Sequence, residues 1–318
     1  MIKKILITGA AGFIGSHLSE RLFLNFQNSE FILYDKITYA ANKKYLKNII
    51  SKKNVKFVKN DLLNFNALER SLKNVDLAIN VAAESHVDNS FGNSLIFTKT
   101  NTLGTHFFLE ACRKQKVNKI IHVSTDEVYG ENLGKPFSEK QFLNPTNPYS
   151  ASKAGADMMV NAYKKSYDLK ITTIRANNIY GTRQYPEKLI SKTIYSFLNK
   201  KKMSIHGKGS NFRSYLSVDD FCEGIIKIIN KGKPNEIYNI ASNRYYNVKK
   251  AIKMIAKYLK VNFKKNIKFV DDRPFNDKVY KIDCSKLHGL NWKAKRNLEN
   301  DIPKICEWYR KNLDLFKI

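Results

Sequence analysis

No stretch of eighteen or more apolar residues occurs anywhere in the 318-residue chain, so a membrane-spanning helix is not expected. Cysteine is scarce. The four present, Cys112, Cys222, Cys284 and Cys306, lie far apart and lack paired metal-ligand spacing. That argues against a disulfide framework and a metal site, and for a reducing compartment, the cytoplasm. Only seven prolines are present, and no Pro- or Ser-rich linker separates one part of the chain from another. Internal repeats and low-complexity tracts are missing too. The opening MIKKILITG lacks the apolar stretch and small-residue cleavage site of a signal peptide, so none is expected. Acidic residues number 28 against 56 basic ones, a formal charge of +28. Such an excess can mark a nucleic-acid binder. The lysines, however, are spread over nearly every predicted helix and loop, apart from short runs such as 200–202. That is the signature of a compositional bias, and nucleic acid is not an expected partner. The field would still speed the encounter with an anionic small substrate.

The first half alternates short apolar segments with amphipathic ones, the pattern of a parallel sheet covered on both faces. Strands are predicted at 3–8, 31–34, 55–59, 75–81, 119–123 and 170–175, and helices at 14–26, 64–73, 93–115 and 148–167. Asn147-Pro148 suits the start of the last helix, because proline is tolerated in a first turn. Beyond about residue 176 the rhythm changes to loops rich in Gly, Pro and aromatic residues between shorter elements. This predicts a smaller lobe that returns to the sheet and packs tightly against it.

Gly9-Ala10-Ala11-Gly12-Phe13-Ile14-Gly15 follows the first strand and opens a helix. Gly9 allows the tight turn, Gly12 lets a pyrophosphate approach the backbone, and Gly15 lets helix and strand pack closely. The helix N-terminus then offers N–H groups to phosphate. A glycine triplet alone also makes an ordinary turn. Here Asp35 ends the second strand about twenty residues on, where a carboxylate can bind both hydroxyls of an adenine ribose. An acid there favours NAD over NADP, and Lys36 beside it weakens that preference. Asp61, after the third strand, is a candidate for the adenine edge or for a helix cap. The expected fold class is α/β: a Rossmann-type doubly wound parallel sheet at 1–175, which includes the helix at 148–167, with a smaller C-terminal substrate-binding lobe at 176–318.

Tyr149-Ser150-Ala151-Ser152-Lys153 places a phenol and an ammonium on one helix face. The lysine can lower the phenol's pKa and bind a nicotinamide ribose, leaving the tyrosine oxygen able to take a proton. A Tyr and Lys four apart are common on solvated helices. With the glycine turn upstream and Ser124-Thr125 ending the intervening strand, the chain resembles the extended short-chain dehydrogenase/reductases over essentially its whole length.

The strand at 119–123 runs into Ser124-Thr125-Asp126-Glu127-Val128-Tyr129-Gly130. Two adjacent carboxylates at the carboxyl end of such a strand repel one another unless they are used, an exposed acidic loop being the other reading. In this setting the pair resembles the Thr-Asp-Glu set of nucleotide-sugar 4,6-dehydratases. The resemblance implies Thr125, Asp126, Glu127, Tyr149 and Lys153 as catalytic residues. It implies cofactor contacts from Gly9, Gly12, Phe13, Ile14, Gly15, Asp35, Lys36, Asp61, Leu62, Ala82, Ala83, Ser124 and Asn178. Nucleotide-sugar 4-epimerases oxidise the same carbon and remain the rival, but they need neither an acid to expel a hydroxyl nor a base at C5.

Other segments resemble the same family. Residues 82–94 look like the loop bordering nicotinamide and sugar, with Ser85 toward the substrate, and 175–190 like the substrate-binding crossover, with Asn178, Glu187, Lys188 and Leu189. Arg213 and Arg273 lie in loop-like Gly/Pro/Asn-rich segments, where a guanidinium can clamp a diphosphate. His86 reads as structural or supporting. The wording is closest to the UDP-glucose 4,6-dehydratase domain of plant-type rhamnose synthases. Bacterial dTDP-glucose enzymes usually carry histidine where Asn276 stands and asparagine where Ile179 stands. The resemblance therefore implies tightly held NAD, a UDP-glucose or dTDP-glucose substrate, and a homodimer built on helices 93–115 and 148–167.

Overall fold

The computed structural model describes residues 1–272 and 279–316. Six strands of the first half, β1 Lys4–Thr8, β2 Glu30–Asp35, β3 Val55–Lys59, β4 Leu77–Asn80, β5 Lys119–Thr125 and β6 Ile171–Ala176, form where the apolar runs predict them. Six more follow: β7 Asn178–Tyr180, β8 Met203–His206, β9 Phe212–Ser217, β10 Ile237–Ile240, β11 Tyr245–Asn247 and β12 Ile267–Val270. The main sheet is parallel throughout, in the order β10-β6-β5-β4-β1-β2-β3. The doubly wound α/β fold expected from the sequence is thus present. β4 and β6 are buried along their full length, and β5 nearly so, as strands covered on both faces must be.

Order reverses between β1 and β4, because the chain builds outward through β2 and β3 and then crosses to the other side. That switch opens a crevice at the carboxyl ends of β1, β4 and β5. One apolar layer packs helices Phe13–Asn25 and Val218–Lys231 on one face of the sheet. Another packs Phe65–Ser71, Gly104–Lys114 and Pro148–Tyr167 on the other. A third core joins helices Leu189–Leu198, Val248–Tyr258 and Leu298–Lys311 to the β12-β8 pair. The β11-β9-β7 sheet stands beside the crevice mouth.

Helix Pro148–Tyr167 begins as its sequence suggests. Asn147 accepts from Ser150 N at 2.9 Å, Ser150 Oγ takes the Asn147 N–H at 3.1 Å, and Pro148 fills the first turn. The continuous helix expected at 93–115 is not what forms. Ser94–Phe97 is α-helical, Thr98–Leu103 is a π-helical turn, and Gly104–Lys114 resumes the α-helix. Tertiary hydrogen bonds hold the wide turn. Asn101 accepts from Glu84 N at 2.9 Å and donates to Glu84 O at 2.9 Å and Ser152 Oγ at 2.8 Å, while Thr102 Oγ1 donates to Ser152 O at 2.8 Å. Apolar periodicity carries no trace of such bonds, which is why the sequence reads as one helix. Among the described residues no helix is long and apolar enough to cross a membrane, and no cluster of His, Cys, Asp or Glu could hold a metal ion. All four cysteines are free and buried.

Candidate active site

The crevice holds a cavity of about 460 Å³. Every site residue named from the sequence lines it except Arg273 and Asn276, which lie outside the described residues. The glycine turn is its floor. Gly9 sits at φ +65°, and a Cβ there would come within 2.7 Å of Ala82 Cα. A Cβ at Gly15 would stand 2.0 Å from Gly9 O, so only glycine lets this helix start against this turn. The cradle leaves room for a pyrophosphate against the first turn of helix Phe13–Asn25, as a dinucleotide requires.

Asp35 closes β2 beside that turn, with Oδ2 accepting from Ala11 N at 2.8 Å and Oδ1 from Ile37 N at 2.7 Å. Burial raises its pKa, and these N–H donors work against the rise. With the Gly12 N–H also acting on it, the carboxylate keeps acceptor capacity for a ribose hydroxyl. Lys36 pairs with Asp61 at 2.6 Å, so its charge is engaged. Burial alone would raise the Asp61 pKa, but Lys36 and the Leu63 N–H outweigh it and hold the carboxyl below its ordinary value. Asp61 does not cap the following helix. Asn64 does, accepting from Ala67 N at 3.1 Å.

Strand β5 continues through Thr125, and Asp126–Tyr129 form a 3-10 turn that swings both carboxylates into the cavity. Thr125 Oγ1 accepts from Glu127 N at 3.3 Å and donates to Asp126 Oδ1 at 3.3 Å. Asn177 donates to Asp126 Oδ2, and Asn147 Nδ2 donates to Glu127 Oε2 at 3.5 Å. Asp126 is 2% exposed and Glu127 8%. Burial first, and the Glu127 charge second, push the Asp126 pKa up to about 7. One member of the pair is thereby suited to carry a proton at neutral pH.

Tyr149 faces this pair from the helix, also buried. Burial, then Glu127, hold its phenol well above the ordinary value. The lowering expected from Lys153 does not dominate. Lys153 Nζ donates to Val123 O at 2.7 Å, and burial brings its own pKa down to about 8. On the lobe side, Lys188 donates to Ser85 O and lies 5.7 Å from the Tyr149 ring centroid. Glu187 Oε2 accepts from Tyr39 OH at 2.9 Å, and Leu189 begins helix Leu189–Leu198. Asn178 opens β7. Arg213 stands in β9 rather than in a loop, its guanidinium 5.2 Å from the Tyr280 ring.

Sequence reasoning missed two side chains of this site, Asn147 and Asn177. Asn147 was read only as the start of a helix, yet it also reaches Glu127. Asn177 follows Ala176, the β6 partner of Thr125 in the sheet register, so its position at the carboxyl end of the neighbouring strand was the available signal.

A switch-point crevice, a glycine cradle with an acid at the end of β2, and a Tyr/Lys pair four residues apart together define an extended short-chain dehydrogenase/reductase. The family model described as GDP-mannose 4,6 dehydratase matches residues 6–305, and the chain belongs to that family. It is similar to a trifunctional UDP-glucose 4,6-dehydratase/UDP-4-keto-6-deoxy-D-glucose 3,5-epimerase/UDP-4-keto-L-rhamnose-reductase of Arabidopsis thaliana, 45% identical over 318 residues. That match takes in 98% of this chain and 48% of the plant protein, so this chain spans about half the length of such relatives. A dTDP-D-glucose 4,6-dehydratase of Dictyostelium discoideum is 42% identical over 98% of this chain and 82% of its own. The dTDP-glucose 4,6-dehydratase DesIV of Streptomyces venezuelae, solved with NAD bound, superimposes with a TM-score of 0.95 at 33% identity over 99% of both chains.

Proposed function

We propose that this protein removes water from a nucleoside-diphospho-glucose, UDP-glucose or dTDP-glucose, to give the 4-keto-6-deoxy sugar nucleotide, with NAD held throughout. The observation that carries this reading is the buried Asp126–Glu127 pair beside Tyr149, with the Asp126 pKa raised to about 7. Ionising two adjacent buried carboxylates is costly, and C4 oxidation alone needs neither. Expelling a hydroxyl from C6 needs an acid, and removing the C5 hydrogen needs a base.

The Gly9–Gly15 cradle and Asp35 suit the pyrophosphate and adenosine ribose of NAD, and Lys153 suits the nicotinamide ribose. When bound, NAD supplies a reversible hydride acceptor and a positive ring beside the phenol. Tyr149, as the phenolate that the positive charge of bound NAD would favour against the burial and the Glu127 charge that raise its pKa, takes the proton of the C4 hydroxyl, whose oxygen Thr125 orients. The resulting C4 ketone acidifies C5–H, and Glu127 removes that proton. Asp126, protonated, donates to the C6 oxygen as the C–O bond breaks and water leaves, and Asn177 fixes the carboxyl in place. C6 is then reduced, C5 regains a proton from Glu127, and the sum is loss of one water with no net redox change. Asn178, Ser85, Lys188, Glu187, Leu189 and Arg213 line the same cavity, which supports a role for them in holding the sugar and diphosphate.

The deciding experiment incubates the protein with NAD and each sugar nucleotide and follows product mass. Loss of one water supports dehydration. An epimer of unchanged mass would replace this reading with a 4-epimerase, and salt-sensitive retention on DNA or RNA without turnover would favour a nucleic-acid-binding role. The product class feeds deoxysugar synthesis, rhamnose included. The four buried free thiols suit the cytoplasm. Assembly as a homodimer is supported by exposed apolar side chains on the helical segments Ser94–Phe97 and Thr98–Leu103 and on the Tyr149 helix, Leu95, Leu103 and Met158.

A further inference from the structure

Beneath the catalytic pair runs a line of buried polar groups that the reaction does not use. Val81 N and Ala82 N donate to Thr8 Oγ1 at 3.1 and 3.2 Å, and Thr8 Oγ1 donates to Asn80 Oδ1 at 2.7 Å. With its oxygen so engaged, the Asn80 amide turns Nδ2 toward Thr105 Oγ1 at 3.1 Å and His122 Nδ1 at 3.4 Å. His122 Nδ1 therefore accepts, and the ring proton sits on Nε2, 3.5 Å from Asp157 Oδ1. Arg175 Nε donates to Asp157 Oδ2 at 2.9 Å, and its guanidinium lies 4.7 Å from the Tyr129 ring centroid. The line crosses β1, β4, β5 and β6 and ends on Asp157, one turn beyond Lys153 on the same helix.

We propose that Asp157, held by Arg175 and His122, is a positioning residue that supplies the counter-charge keeping Lys153 an ammonium in a dry site. Lys153 is 3% exposed, and its Nζ donates to the neutral Val123 carbonyl. The ionisable groups that face it are Asp157 on its own helix and His122 on β5, with Tyr149, Asp126 and Glu127 lining the same cavity, while Arg175 on β6 stands behind Asp157. Burial keeps His122 neutral by lowering its pKa. Burial opposes ionisation of Asp157 as well, but His122 and Arg175 outweigh it and hold the carboxyl at about 2, so it is charged at every working pH. Against the burial that draws Lys153 down to about 8, Asp157 is the opposing charge. Asp126 and Glu127 do not substitute for it, because their protonation changes during the reaction.

The proposal rests on the Tyr149/Lys153 reading, and its test does not need turnover. In protein labelled with carbon-13 lysine, an NMR titration follows the Lys153 ammonium directly, with Lys153→Met identifying its resonance. Asp157→Asn should lower the Lys153 midpoint by one pH unit or more, and Asp157→Glu should restore it. Activity, where present, should fall at least fivefold more at pH 8 than at pH 6.5. A merely structural role would lower the melting temperature and leave the midpoint in place, and an unmoved midpoint overturns the proposal. If Asp157→Asn leaves Arg175 uncompensated and the protein does not fold, the Asp157→Asn/Arg175→Met pair is titrated against Arg175→Met alone, so that only the Asp157 charge differs between the two and the same shift is expected. Failure of both sugar nucleotides to react would count against the dehydratase reading and leave this result standing.

Discussion

Replacing Asp126 with asparagine should cost the enzyme its activity and make it more stable, and the gain should depend on pH. The Asp126 carboxyl titrates at about 7 in the folded protein against an ordinary 3.8. Between those values the folded chain holds a proton that the unfolded chain releases. Stability therefore falls as pH rises from about 4 to 7, and the penalty is fully present above 7. About three units at roughly 1.4 kcal/mol each place it near 4 kcal/mol. Asparagine keeps an oxygen for the Asn177 amide and carries no charge to repel Glu127. The melting temperature of Asp126→Asn should exceed that of wild type by on the order of 5 °C or more at pH 8 and by less than half as much at pH 5, where only about 1.7 kcal/mol of the penalty has built up. Dehydration by the variant should fall about 10²–10⁴-fold, the usual toll of removing a general acid. A difference in melting temperature that is the same at pH 5 and pH 8, or a variant less stable than wild type at pH 8, would refute the argument for a strained acidic pair.

The remaining expectations are simpler. Glu127→Gln should suppress deuterium uptake from solvent at C5, whereas Tyr149→Phe should abolish exchange and product together; a Gln variant that dehydrates at near wild-type rate would undo the role given to Glu127. Calorimetry should show NAD bound at least tenfold more tightly than NADP, with Asp35→Asn narrowing the gap, and equal affinities in the wild type would displace Asp35 from the ribose. Light scattering should give the mass of a dimer, with Leu95→Glu and Met158→Lys shifting it toward monomer; a concentration-independent monomer in the wild type would remove the proposed interface.

Much of this was legible in the sequence because it depends on local chemistry. A glycine that must turn at positive φ, an acid at a strand end and an Asn-Pro helix start each announce themselves within a few residues. Six of the seven strands of the main sheet followed from runs of apolar residues, since strands covered on both faces carry that signal undiluted, whereas the edge strand β10 did not. What escaped is what depends on neighbours distant in the chain. The Lys36–Asp61 pair decides that the lysine does not face the cofactor as a free charge, and β2 and β3 must be side by side for that to be visible. The raised Tyr149 pKa comes from burial and from Glu127, 22 positions earlier, rather than from the lysine in its own motif. Arg213 looked like a loop residue because β9 is short and begins among glycine and asparagine.

The π-helical turn at Thr98–Leu103 makes the site sensitive to chain length at a place that carries none of the catalytic residues. Each residue of an α-helix advances the face by about 100°, so excising one residue from this turn to regularise the helix would rotate everything before it by that angle. Asn101 would lose Glu84 and Ser152, and with them the clasp between the segment that follows β4 and the Tyr149 helix. The exposed Leu95 would swing with it. A single-residue deletion there should thus disturb sugar contacts and subunit pairing at once, whereas a substitution of Leu95 would touch only the second.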